Sequence, residues 1–115
     1  MAVKVIFHVD ENHKWELALK NAGNLLKAVG KNEARAEILA NAEAVGFYRK
    51  KDHNKETAEL MDDLHEMGII FKACNNALGN FKISKDDIFP FVKIVPVGVL
   101  DLALKQDEGY AYIKP

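Results

Sequence analysis

The segment Ile69-Ile70-Phe71-Lys72-Ala73-Cys74-Asn75-Asn76-Ala77-Leu78 sets the frame for the rest of the chain. Its first half is a short apolar run, rich in β-branched and aromatic residues, with the composition of a buried strand. Its second half opens with two asparagines, a residue type favoured where helices begin. Cys74, the only cysteine, is therefore expected at the C-terminal end of a strand, beside a helix N-terminus. The partial positive charge there stabilises a thiolate, the form that acts as nucleophile and sulfur acceptor. A free cysteine is also a small hydrophobe that packs well, so plain burial stays open at this point.

Outward from this segment, four further runs have strand composition: Val3 to Val9, Ala36 to Ala42, Val92 to Val97 and Tyr110 to Ile113. Helical spacing fills most of the intervals. From His13 to Val29 the residues Trp15, Leu19, Ala22, Leu26 and Val29 recur every three or four positions, and Gly30 ends the run. Trp15 is expected to anchor the core. Glu43 to Tyr48 suits a short helix, and the charged stretch Arg49 to Glu56 suits an exposed loop. Helical spacing returns from Thr57 to Met67 through Leu60, Met61, Leu64 and Met67, with the methionines as core filler, and again from Val99 to Gln106.

Strands alternating with helices predict an α/β protein with a parallel sheet and helices on both faces, because parallel neighbours need crossover connections. In open sheets of this kind, ligands and chemistry collect beyond the C-terminal ends of the strands. Parallel strands would bring four groups to that rim: His8, Asp10 and Glu11; Asn41 and Glu43; Cys74, Asn75 and Asn76; Pro96 and Gly98. Cys74 is the candidate reactive residue. His8, Asp10, Asn41, Glu43, Asn75 and Asn76 are the candidate binding residues around it. His8 could hold the thiolate or shuttle its proton, or make a structural hydrogen bond. Asp10 and Glu43 act in the opposite sense, since a nearby carboxylate disfavours a second negative charge.

With 115 residues, 49% of them hydrophobic, one domain over residues 1–115 is expected. Sixteen basic against 17 acidic residues give a net charge of -1, and no basic run exceeds Arg49-Lys50-Lys51; no nucleic-acid partner is expected. A lone cysteine forms no internal disulfide. The N-terminal run shows no signal-peptide pattern, and no apolar stretch approaches the ~20 residues of a membrane span. A soluble cytoplasmic protein without a membrane partner is the expectation.

Serine and threonine occur once each, as Ser84 and Thr57. Ser84 stands in the S-x-x-D arrangement of a helix cap, which leaves serine hydrolase chemistry almost without a candidate. Neither G-x-G-x-x-G nor G-x-x-x-x-G-K-[ST] is present, and His65-Glu66 lacks the second histidine of a zinc protease. His8, Asp10 and His13 lack a recognised ligand spacing. No cofactor and no metal are expected.

The stretches "FKACNNAL" (71–78), "VKIVPVGVLDLALKQ" (92–106) and "EGYAYIKP" (108–115) resemble the small DsrE/DsrF-like proteins. "VKVIFHVDE" (3–11) and "ILANAEAV" (38–45) fit the same pattern, so the resemblance spans essentially the whole chain. It implies a three-layer α/β/α fold around a five-stranded, largely parallel sheet, assembled as trimers or hexamers. In the sulfur-relay members a cysteine after the third strand receives sulfur as a persulfide and passes it to the next protein, and Cys74 occupies the matching place. The likeness is to the short stand-alone branch, more than to the dedicated relay subunits.

Three functions follow for weighing: a sulfur carrier with donor and acceptor proteins, a module holding a small polar ligand at the rim, and a structural homo-oligomer. Aromatic residues concentrate in subunit interfaces, so Phe47, Tyr48, Phe81, Phe89, Phe91, Tyr110 and Tyr112 are candidates for burial between copies.

Overall fold

Val5, Ile6 and Phe7 are buried in succession along Val3–Val9, which makes this run the centre of the sheet, with side chains covered on both faces. The computed structural model describes residues 2–30 and 32–115; Met1, which opens the N-terminal run, lies outside them. Five strands appear: β1 (Val3–Val9), β2 (Ala34–Ala40), β3 (Ile70–Cys74), β4 (Lys93–Val95) and β5 (Ala111–Ile113). Their order is β4-β3-β2-β1-β5, and every neighbouring pair is parallel. The helices are α1 (Trp15–Val29), α2 (Lys55–Glu66), α3 (Asn75–Asn80) and α4 (Gly98–Asp107).

The strand order explains the layers. From β1 to β4 the chain steps outward in one direction, then returns to lay β5 on the other side of β1. Crossovers between parallel strands are right-handed, so reversing the direction places the last helix on the opposite face. Accordingly Val5, Phe7 and Val9 share a core with Trp15, Leu19 and Leu26 of α1, Met61 and Leu64 of α2, and Leu78 of α3. Ile6 faces the other way, into a smaller core with Leu39, Val95 and Leu102 of α4. The result is the three-layer α/β/α architecture.

The larger core is built on rings. Trp15 stacks on Phe47 and meets Tyr48 edge-on, its indole N–H donating to the Ala44 carbonyl at 2.9 Å. The Tyr48 hydroxyl donates to the Lys72 carbonyl at 2.9 Å. Burial pushes the Tyr48 phenol well above its ordinary pKa, although its backbone hydrogen bond acts against that shift.

Four expectations shift. The second strand spans Ala34–Ala40 and not 36–42, because its start is fixed by pairing Ala34 with Val3 and its end by Ala42, whose φ of 50° is incompatible with a strand. The fourth strand shrinks to Lys93–Val95, since Pro96 has no N–H to donate. The stretch from Arg49 to Glu56 is ordered in part: Lys50–Asp52 form a 3-10 turn, and Asn54 caps α2 by accepting from the Thr57 N–H at 2.9 Å. Of the seven aromatic candidates for burial between subunits, Tyr48 and Phe89 are buried within the chain, Phe47 and Phe91 pack on the larger core and Tyr110 on the smaller. Only Phe81 and Tyr112 are exposed.

Candidate functional site

Cys74 ends β3 and directly precedes α3, so the strand delivers the thiol to the C-terminal rim. The helix start that serves the sulfur is a different one. Gly98, the first residue of α4, donates its N–H to Cys74 Sγ at 3.3 Å. Val97 at the cap position supplies no side-chain acceptor, so the sulfur takes the capping place at one of the helix's otherwise unpaired N–H groups. Cys74 keeps 8% of its surface accessible, and the rest is enclosed by the rim and the core.

This approach favours glycine. A Cβ at position 98 would lie 3.1 Å from Cys74 Cβ, 3.3 Å from Leu39 Cδ1 and 3.4 Å from Asn41 Cβ, closer than packed carbon atoms ordinarily come. The same three distances show that Asn41 and Cys74 share one rim, at the ends of neighbouring strands.

Asn41 links the thiol region to a second group. Its Oδ1 lies 2.9 Å from His8 Nε2, and His8 Nδ1 lies 2.6 Å from the Tyr112 hydroxyl. A carbonyl oxygen only accepts, so in the neutral ring Nε2 carries the proton and Nδ1 accepts from Tyr112. The chain Tyr112–His8–Asn41 thus runs across β5, β1 and the end of β2 toward Cys74. His8 is two strands away from β3, about 10 Å at ordinary strand spacing, and its ring nitrogens are engaged by Asn41 and Tyr112.

The remaining candidates lie apart. Asp10 accepts from Lys114 Nζ at 2.9 Å, and that hydrogen bond, with the lysine's charge, holds its carboxyl below the usual aspartate value against the opposing effect of burial. Glu43 accepts from the Asn12 backbone N–H at 2.9 Å, which ties the turn after β1 to the turn after β2. Asn75 and Asn76 are exposed on the first turn of α3. His13 pairs with Glu11 at 3.5 Å. Ser84 Oγ accepts from the Asp86 N–H at 3.2 Å, the capping role.

Behind the rim, on the α4 side, lies a charge cluster with no forerunner in the sequence motifs. Lys72 Nζ is 2.6 Å from Glu37 Oε1 and 2.7 Å from Asp101 Oδ2. Lys105 Nζ stands 3.2 Å from Glu37 Oε2. Burial alone would lower the Lys105 pKa, but the Glu37 carboxylate outweighs it and holds the ammonium above its ordinary value. Asp101 lies in the first turn of α4, so the cluster fastens the end of the helix that carries Gly98. The Tyr112 contact and the charge cluster both escaped sequence reasoning. Tyr112 meets His8 only because β5 pairs with β1, and Lys72 reads as an ordinary strand lysine until Glu37 and Asp101 face it.

No curated protein matches the chain. Among solved structures, the protein of unknown function MTH1491 from Methanobacterium thermoautotrophicum is similar at 30% identity, with a TM-score of 0.88, covering 98% of this chain and 99% of that one. The ychN protein from E. coli has the same fold at 14% identity, with a TM-score of 0.80 over 98% and 99% of the two chains. The DsrE/DsrF-like family model matches residues 4–115, and the chain belongs to that family.

Proposed function

We propose that the protein is a sulfur carrier that holds sulfane sulfur as a persulfide on Cys74. The observation that carries this reading is the Gly98 N–H directed at Cys74 Sγ, in a chain of the DsrE/DsrF-like family, which is associated with sulfur relay. In loading, the Cys74 thiolate attacks the outer sulfur of a donor persulfide. The donor's S–S bond breaks, the donor leaves as a thiolate, and a new S–S bond forms on Cys74. Unloading repeats the exchange with an acceptor thiolate attacking the outer sulfur. Both steps conserve electrons and need no cofactor. Cys74 is buried, so loading requires the rim around it to open toward a docked donor.

Asn41, hydrogen-bonded to His8, borders the rim beside Gly98. Intact mass measured after exposure to polysulfide tests the proposal. The wild type gains one sulfur atom, and Cys74→Ala gains none. A wild-type protein that stays unmodified, with Cys74 alkylating as slowly as a fully enclosed thiol, removes the carrier function.

The carrier acts as a closed homo-oligomer, for which the outward side of α4 supplies the surface. Val99, Leu100 and Leu104 are 66%, 53% and 52% exposed, while Asp101, Leu102 and Lys105 turn inward. An apolar stripe of this kind is the composition expected at the core of a lasting subunit interface.

A further inference from the structure

On the face of the sheet away from α4, a trough of about 860 Å³ runs between α1 and α2, within the size range of small-molecule sites. The stacked pair Trp15 and Phe47, with ring centroids 4.7 Å apart, lies along one part of it. Leu64 closes the floor, and Leu60, which is exposed, stands at the mouth.

Gly23 lines the trough in the middle of α1. Glycine inside a helix costs about 1 kcal/mol relative to alanine, and here packing does not demand it. A Cβ at this position would meet only Leu64 Cδ2, at an ordinary 3.9 Å, whereas a longer side chain would fill the space between the helices. Lys20 and Lys27 flank this opening from the same helix. Neither has an ion-pair partner among the described residues, and Glu16 is the only acidic residue in the lining. An apolar floor beside two unpaired cations complements a molecule that is apolar at one end and negative at the other.

We infer that the trough between α1 and α2 is a binding site for a small amphipathic anion, whose apolar body lies over Gly23 and Leu64 and whose head faces Lys20 and Lys27. The site is independent of Cys74, which lies on the rim beneath α4.

The test titrates the full chain with 8-anilinonaphthalene-1-sulfonate and, in parallel, with N-phenyl-1-naphthylamine, which has the same ring body without the sulfonate. One saturable site for the sulfonate is expected in the wild type, in Cys74→Ala and in Gly23→Ala. Lys20→Glu with Lys27→Glu weakens the sulfonate by about tenfold or more and leaves the neutral probe unchanged. Gly23→Leu abolishes both. Absence of a saturable site, or binding indifferent to the charge reversal, overturns the proposal, as does binding that survives Gly23→Leu. Should Gly23→Leu fail to fold, the exposed lysine pair decides the question by itself.

Discussion

Gly98 carries more of the site than its lack of a side chain suggests. No Cβ crowds Cys74, Leu39 and Asn41 at this point, so Gly98→Ala must shift α4 or these neighbours by a few tenths of an ångström. Overpacking of this kind costs about 1–3 kcal/mol. Urea unfolding should show that loss, and sulfur loading of Cys74 should slow with it; an alanine variant as stable and as readily loaded as the wild type removes the close contact from the account. Asp10 gives a residue-scale effect of pH. Its carboxyl is held below the ordinary value by Lys114, so its contribution is fully present above the unfolded aspartate value of about 3.9. It is lost as pH falls through the lower folded value. Between about pH 6 and pH 2, Asp10→Asn should therefore flatten part of the acid slope of the urea midpoint, and an unchanged slope excludes the pair.

Among the elements, α4 is held to the sheet differently from α1. Trp15, Ala18, Leu19, Ala22 and Leu26 seat α1 by apolar burial, the periodic signal that sequence displays openly. Inward from α4 come one buried leucine and the charges of Asp101 and Lys105, and no periodicity marks such a contact. Lys72→Met leaves Asp101 without its cation and Glu37 with Lys105 alone. Removing one member of a buried ion pair costs about 3–5 kcal/mol, to be read as a lower urea midpoint. A midpoint unchanged within error would mean that the cluster is solvated.

The same contrast explains what sequence made legible. β1, β3 and α1 followed from composition and spacing, and so did the rim that unites Cys74 with Asn41. The bounds of β2 depended on a partner strand and on a left-handed alanine. Tyr112 could be assigned to His8 only once β5 was known to lie beside β1.

For the whole molecule, assembly is the property most open to measurement. If copies meet through α4, placing charge on its outward side at Leu100→Glu and Leu104→Glu should reduce the assembly to monomers in light scattering at low micromolar concentration, while far-ultraviolet circular dichroism stays native. Assembly that persists in the double variant moves the interface elsewhere, and a wild-type monomer removes it.

The strand order bears on how copies can meet. The sheet's outermost strands, β4 and β5, are three residues each, whereas the interior strands run to five and seven. A three-residue border offers a neighbouring chain too few unpaired backbone groups to extend the sheet. Growth by endless strand addition, the route to fibrils, is thereby blunted, and association is directed to the helical layers, where contact surfaces can close into a finite particle.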